Sequence, residues 1–338
     1  MPGARFRRVA IGFAILIAIV SSLAPTAGWA NDDGGGSLKI VLTNDDGFET
    51  RNIQALYAAL VAAGHNVILS APYLGQSGTS GQVAFVRPIT PTSEKSVGGL
   101  LPAGSPGVGP TTIAPQQFYV DGSPVASVLY GIDIAAESIF GGPPDLVLSG
   151  PNEGNNLGLV TPHSGTLGAT VAALNLGIPA IAISADRSDR TAEEAALIAQ
   201  ISLQVVDAVN GPKGIRLPSG TGLNVNIPDV DPAKSVDAYK FSQTQVGVAS
   251  NLGLQFYEKL GDSPTANAFG IPPGTPFPGV SIEIPYTLAG YAEDTSSESE
   301  GNVLGGTTVT VSVIQGTVQA DSHQTRLVRH RLRRLFHK

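Results

Sequence analysis

The chain has 338 residues, no cysteine and a formal net charge of −7 at pH 7. Without cysteine it forms no disulfide, and it has no thiol to act as a nucleophile or a metal ligand. Three basic residues lie within the first eight positions and six within 326–338, so the body between them is more acidic than the net charge suggests. An acidic body argues against a nucleic-acid groove, and an anionic substrate would need a metal ion beside it.

Residues 1–30 have the three-part pattern of a secretory signal peptide. Arg5, Arg7 and Arg8 precede an apolar run over 9–20, and a small-x-small sequence ends at Ala30. The apolar run is short for a membrane span. We expect export to the periplasm or the medium after cleavage near Ala30, with an uncleaved anchor as the alternative. Residues 31–37 (NDDGGGS) are expected to be a flexible lead-in.

From residue 38 to about 230 the pattern alternates between strands and helices, which predicts a mostly parallel sheet with helices on both faces. Residues 38–43, 66–71, 118–121, 145–149, 180–184 and 223–227 are predicted strands. Residues 52–63, 166–176 and 191–209 are predicted helices, and a further helix is predicted to begin within VDGSPVASVLYGI (120–132), after the strand at 118–121. The Pro/Gly-rich segment 88–115 is predicted to be a long surface loop or hairpin insertion.

The pattern changes after residue 230. Short strands at 238–242 and 307–314 are separated by Gly, Pro and Ser, so 231–318 is predicted to be a β-rich, antiparallel extension or arm of the same domain. Residues 319–338 form a basic tail. This tail either contacts anionic lipid or envelope polymers or, as the simpler interpretation, pairs loosely with the acidic body.

Polar clusters follow three predicted strands, at the edge where doubly wound sheets bind ligands. Asp45 and Asp46 end the first strand, Ser77 follows the second, and Asn152 follows the strand at 145–149. Two carboxylates, a hydroxyl and an amide oxygen suit Mg²⁺ or Mn²⁺. Without cysteine or a nearby histidine they do not suit zinc. The alternative is an ordinary turn with a helix cap.

The segment from His163 to Thr166 precedes a helix of small residues. Its backbone N–H groups and hydroxyls could hold a phosphate at the helix N-terminus, or Ser and Thr could simply cap the helix. His163 is a candidate proton donor, with a merely polar neighbour as the alternative. The chain contains neither a P-loop nor a GxGxxG after its first strand, and it lacks a GxSxG nucleophile elbow.

These motifs resemble those of the SurE survival-protein family of metal-dependent 5'/3'-nucleotidases and acid phosphatases. The matching segments, in the family's order, are TNDDGF (43–48), APYLGQSG (71–78), VDGSP (120–124), PDLVLSGPNEGNNLG (144–158), HSGTLGA (163–169) and LNVNIPD (223–229). The sequence departs from the family at Thr50-Arg51-Asn52, in the insertion at 88–115, in the basic tail and in its export signal.

The resemblance implies a Rossmann-like three-layer αβα core and a C-terminal arm exchanged in homodimers or homotetramers. It implies one divalent cation per subunit, Mg²⁺ or Mn²⁺, held by Asp45, Asp46, Ser77 and Asn152. The residues implied around the substrate phosphate are Asn156, Ser164, Gly165 and Thr166.

The expected function is hydrolysis of nucleoside 5'- or 3'-monophosphates, or of other small phosphomonoesters, with Asp45 or Asp46 orienting or deprotonating the attacking water. The competing hypothesis is an exported solute-binding protein, which would bind ligand without turnover and have two similar lobes. A third is a phosphatase-like fold that has lost activity.

Overall fold

Runs of β-branched and other apolar residues form the centre of a nine-stranded sheet in this computed structural model. The structure describes residues 35–186, 191–248, 253–268, 270–283, 294–319 and 322–332. The predicted signal peptide, most of the lead-in and the end of the basic tail lie outside these ranges. The strands are β1 Lys39–Thr43, β2 Asn66–Pro72, β3 Val108–Pro110, β4 Gln117–Val120, β5 Leu146–Glu153, β6 Ala180–Ala185, β7 Asn210–Gly211, β8 Gly214–Ile215, β9 Thr221–Ile227, β10 Lys240–Thr244, β11 Gly253–Tyr257, β12 Gly279–Glu283 and β13 Thr308–Gln315.

The main sheet has the order β10-β13-β9-β6-β5-β1-β2-β4-β3. Its six central strands, from β9 to β4, all pair in parallel. Parallel strands are buried on both faces and therefore read as continuous apolar runs, as the buried β1 (KIVLT) and β6 (AIAISA) do. The prediction of a mostly parallel α/β core is confirmed.

Helices cover both faces of the sheet, as predicted. The α-helices are α1 Arg51–Ala62, α2 Pro124–Tyr130, α3 Ala136–Phe140, α4 Gly165–Asn175, α5 Ala192–Val209, α6 Pro264–Ala268, α7 Glu300–Val303 and α8 Ser322–Arg331. Helices α1 and α5 pack together in one core cluster, and α2 and α4 pack in a second cluster. Helix α1 buries Ile53, Leu56 and Leu60 at helical spacing, and α5 begins with a capping box formed by Thr191 and Glu194.

The C-terminal region is more closely integrated with the core than an arm would be. Strand β13 lies between β9 and β10, antiparallel to β9 and parallel to β10. Two strands of the segment predicted as an extension therefore widen the core sheet. Strands β11 and β12 form a separate antiparallel pair, which is the part that fits the description of an arm.

The predicted insertion at 88–115 consists mostly of turns, and its strand β3 pairs antiparallel with β4 at the sheet edge. It is attached to the core next to the end of β1. The Glu49 carboxylate accepts backbone N–H groups of Gly98 and Leu100 at 2.7 Å each. The buried Tyr73 hydroxyl lies 3.0 Å from the Leu101 carbonyl oxygen.

Part of the basic tail forms the exposed helix α8, which carries basic residues in its last turn. No helix among the described residues is long and apolar enough to cross a bilayer.

Candidate active site

Three loops at the carboxyl edge of the sheet meet as the sequence predicts. Strand β1 lies between β2 and β5, so the segments that follow these strands are neighbours. The Gln76 backbone N–H donates to the Asp45 carbonyl oxygen at 2.7 Å. The Glu153 backbone N–H donates to Asp46 Oδ2 at 3.0 Å. These two bonds fix the segments of Ser77 and Asn152 against the two aspartates.

Asp45 is a buried carboxyl, 3% exposed, held by the start of α4. The Thr166 hydroxyl donates to Asp45 Oδ1 at 2.6 Å. Burial raises the pKa of Asp45, while the hydrogen bond from Thr166 and the backbone N–H groups of Gly165 and Thr166 lower it. The start of α4, predicted to face phosphate, thus also faces this carboxyl group.

Asp46 is half-buried, and its pKa is also raised. Burial raises its pKa well above the usual value, and the negative charges of Asp45 and Glu153 raise it further, against a hydrogen bond from the Glu153 backbone. Ionising both aspartates therefore costs free energy unless a positive charge lies between them.

Ser77 follows β2 and Asn152 lies in β5, the two strands on either side of β1. Ser77 is exposed in the turn after β2. The Asn152 side-chain nitrogen donates to the Gly154 carbonyl oxygen at 2.6 Å, which leaves Oδ1 as the atom suited to a cation. Asn152 lies in β5 rather than in a loop after it, because the strand continues past a register shift between Ser149 and Asn152. Gly150 (φ 121°) permits this course, since a Cβ there would clash with the Ile183 carbonyl oxygen.

A glycine face on α4 holds two of these segments in place. A Cβ on Gly165 would lie 2.7 Å from the Asp45 Cβ. A Cβ on Gly168 would clash with the Ser80 carbonyl oxygen in the loop that carries Ser77. The small residues of α4 therefore allow close approach of both candidate ligand segments. The sequence showed the small residues but not their partners.

The residues implied around a substrate phosphate also form hydrogen bonds within the protein. The Asn156 side-chain nitrogen donates to the Ser184 hydroxyl at 2.8 Å and lies 3.4 Å from the Thr166 hydroxyl. The Ser164 hydroxyl accepts the Leu167 N–H and so caps α4, as the capping alternative predicts. His163 is exposed at the end of a 3-10 turn, Gly158–His163, immediately before α4.

Three buried polar residues of the site were not predicted. Asn224 and Asn226 of β9 both donate to the Asn156 carbonyl oxygen at 3.1 Å. Glu300 of α7 accepts from the Asn224 side chain at 3.0 Å. Asparagine at alternate positions of a buried strand, LNVNI, is a usable signal because each must find a partner. Glu300 has no such local signal.

The candidate cation ligands include only two carboxylates. In the ranges that the structure covers, no three histidine, aspartate or glutamate side chains form a metal cluster. The remaining candidate ligands are neutral oxygens.

Comparisons with known proteins agree with this geometry. The family profile described as "Survival protein SurE" matches residues 40–250. An acid phosphatase of Yarrowia lipolytica is 38% identical over 226 residues, 62% of this chain and 63% of the relative. The "5'-nucleotidase SurE 1" of Thermus thermophilus is 37% identical over 194 residues, 56% of this chain and 66% of the relative. The matches thus span slightly less than two thirds of these two relatives.

The structural comparison extends over more of the chain. The crystal structure of the SurE protein from Aquifex aeolicus superposes with a TM-score of 0.60 at 25% identity, covering 86% of this chain and 98% of that one. The core sheet, the segments at its carboxyl edge and the family profile lead to the same conclusion: the chain belongs to the SurE survival-protein family.

Proposed function

We propose that the protein is a metal-dependent phosphomonoesterase that releases phosphate from nucleoside 5'- or 3'-monophosphates. The observation that carries this proposal is the meeting of Asp45 and Asp46 with the segments of Ser77 and Asn152 at one edge of the sheet. The 5'-nucleotidase and acid phosphatase names of its relatives support the same class of reaction.

The candidate ligands fit a divalent cation such as Mg²⁺ or Mn²⁺, one per subunit. Two adjacent acids with raised pKa values form a pair that is unfavourable when ionised, and bound positive charge removes that cost. Asp45, Asp46, the Ser77 hydroxyl and the Asn152 carbonyl oxygen are hard oxygen ligands of the kind these ions prefer. When bound, the cation supplies the positive charge that an anionic phosphoryl group needs.

We assign a separate role to each of Thr166, Asp46 and His163. Thr166 holds Asp45 in one orientation, which makes Asp45 the fixed ligand. Asp46 does not receive the Thr166 hydrogen bond, and it is our candidate to accept a proton from the attacking water. The exposed His163 lies just before α4, where it could donate a proton to the leaving group.

The test is phosphate release from a panel of 5'- and 3'-nucleotides with Mg²⁺, Mn²⁺ or EDTA. We expect Asp45→Asn and Asp46→Asn to lose about 100-fold or more in kcat/KM, and exposed Asp133→Asn to retain activity. Unchanged phosphate release in the folded Asp45 and Asp46 variants would disprove the assignment.

Although Asp46→Asn should lower activity, we expect it to raise the stability of the protein without metal. A raised carboxyl pKa means that stability falls as pH rises through that pKa, because the folded state resists ionisation. Asp46→Asn should therefore raise the melting temperature in EDTA at pH 7, while it abolishes the stabilisation by Mn²⁺. Differential scanning calorimetry with and without Mn²⁺ measures both effects.

Export and oligomerisation belong to the proposal as well. The signal-like residues 1–30 support secretion, and the β11–β12 pair supports a homodimer or homotetramer. A solute-binding protein would show two similar lobes, whereas the described residues build one nine-stranded sheet. Phosphate or nucleoside scavenging outside the cytoplasm is the role that fits an exported enzyme of this class.

A further inference from the structure

Glu300 is a fully buried carboxyl group, 0% exposed, that reaches the site from the C-terminal region. Its Oε1 accepts the Gly158 backbone N–H at 3.1 Å. Its Oε2 accepts from the Asn224 side chain at 3.0 Å and from the Ser312 hydroxyl at 2.9 Å. One carboxyl group therefore joins α7, β9 and β13 to the segment that follows β5.

The segment 156–158 is held from several directions. Asn224 uses one side-chain nitrogen for both the Asn156 carbonyl oxygen and Glu300. Asn226 binds both backbone groups of Asn156, accepting its N–H at 2.9 Å and donating to its carbonyl oxygen at 3.1 Å. Two residues further on, Glu300 accepts the Gly158 N–H.

The position of Asn156 matters because its side chain continues toward the aspartates. The Asn156 side-chain nitrogen lies 3.4 Å from the Thr166 hydroxyl, which in turn donates to Asp45 Oδ1 at 2.6 Å. Polar contacts thus connect Glu300, Asn224, Asn156, Thr166 and Asp45 in that order.

We propose that Glu300 is a positioning residue for the reaction: it fixes the segment 156–158 and, through Asn156 and Thr166, the orientation of Asp45. This inference rests on the proposed phosphomonoesterase function. Attaching α7 does not require a carboxyl group, since an apolar side chain would pack there without burying a polar group. Its contacts to Gly158 and Asn224 instead serve the segment beside the site.

Glutamine cannot reproduce these contacts. With its oxygen toward Gly158, its amide nitrogen would face the Asn224 side-chain nitrogen, and two donors would oppose each other. If Asn224 turned its amide over to accept this donor, its oxygen would face the Asn156 carbonyl oxygen. With the glutamine amide reversed, its oxygen would keep the Asn224 and Ser312 bonds, but its nitrogen would face the Gly158 N–H. Every arrangement therefore loses one bond, so Glu300→Gln disturbs the segment without changing side-chain size.

The experiment compares wild type, Glu300→Gln and Glu194→Gln in the purified protein with Mn²⁺. Glu194 is the matched control because it is a second buried glutamate, at the start of α5, where its carboxylate accepts the Thr191 backbone N–H. Steady-state kinetics use p-nitrophenyl phosphate and AMP, and hydrogen–deuterium exchange follows a peptide covering 156–163.

We expect Glu300→Gln to lower kcat by about 10- to 100-fold with KM nearly unchanged, as small misplacements of reacting groups do. We also expect faster exchange at Gly158 in this variant alone. The control should match wild type in kcat even if both variants melt at lower temperature.

The outcomes separate the two proposals. Wild type that releases no phosphate from any substrate refutes the phosphomonoesterase, and faster exchange at Gly158 is then still the test of the structural link. Active wild type with an equally active Glu300→Gln variant refutes the positioning role alone. Equal losses of kcat in Glu300→Gln and Glu194→Gln also refute it, because they indicate general destabilisation.

Discussion

Thr166 makes a contact with Asp45 that the sequence did not predict. The resemblance to the family implies Thr166 as a phosphate neighbour, and the structure shows its hydroxyl donating to the carboxyl of a candidate cation ligand. A hydrogen bond of this kind fixes the orientation of a ligand and favours its ionised form. This one bond should therefore affect both the pKa of Asp45 and its ability to bind a cation.

Replacing Thr166 by Val tests that bond. Val keeps the shape of the side chain but removes the donor, so the pKa of Asp45 should rise further. We expect the affinity for Mn²⁺ to fall about 10-fold or more, measured by isothermal titration calorimetry. Thr166→Ser keeps the hydroxyl and should bind Mn²⁺ nearly as wild type does. Equal affinities in all three proteins would show that the bond is irrelevant to the cation.

Glu300 gives a pH dependence with a defined sign. Burial raises its pKa from 4.5 to about 7, against hydrogen bonds from Ser312, Gly158 and Asn224. Between these values the folded protein keeps a proton that the unfolded chain releases, so the stabilisation is complete below pH 4.5 and lost as pH rises through 7. The change is about 3 kcal/mol, at about 1.4 kcal/mol per pKa unit.

Urea unfolding of wild type and Glu300→Gln from pH 4.5 to 8 measures this difference. Asp45 and Asp46 are present in both proteins, so their contributions cancel in the comparison. The free energy of unfolding of wild type should fall relative to that of the variant across the window. Parallel curves would mean that Glu300 titrates normally.

At the scale of elements, helix α4 provides the surface against which two segments of the candidate site pack. Gly165 approaches Asp45, and Gly168 approaches the loop that bears Ser77. The absence of side chains at these two glycines is what matters, since larger residues would push the two segments away from α4.

Gly168→Ala distinguishes helix propensity from this docking role. Propensity alone predicts a gain of up to about 1 kcal/mol, whereas the clash with the Ser80 carbonyl oxygen predicts a loss. We expect a lower melting temperature and weaker Mn²⁺ binding, because the loop must move away from α4. A higher melting temperature with normal binding would contradict the docking role.

The sequence predicted most of the elements because their signals are local. Apolar runs locate β1 and β6, and helical spacing locates α1. The meeting of the segments that carry Asp45, Ser77 and Asn152 also followed, since parallel strands end at one edge. The sequence could not show that β13 enters the sheet beside β9, because strand pairing across more than 80 residues leaves no local pattern. Glu300 was missed for the same reason.

At the scale of the whole molecule, the β11–β12 pair exposes apolar side chains that a subunit interface would cover. Phe256 and Val280 are direct cross-strand partners, 67% and 58% exposed, and Phe277 nearby is 71% exposed. Exposed apolar groups clustered in this way mark interaction surfaces. This observation supports an assembly of identical subunits.

Replacing Phe256 and Val280 by Ser should lower the oligomeric state measured by size-exclusion chromatography with light scattering. Val61, which is 46% exposed on α1, provides the control. Val61→Ser should leave the mass unchanged. An unaltered mass in the double variant would place the interface elsewhere.

The position of β13 has a consequence for how the protein is made. The chain is synthesised from its N-terminus, so the residues of β1 through β9 are complete before those of β10 and β13 are added. Strand β10 then has no neighbour until β13 arrives more than 60 residues later and inserts between it and β9. Glu300 precedes β13 by only a few residues, so the sheet and the site are completed together. A chain released early would contain every candidate cation ligand, and we expect it to be inactive.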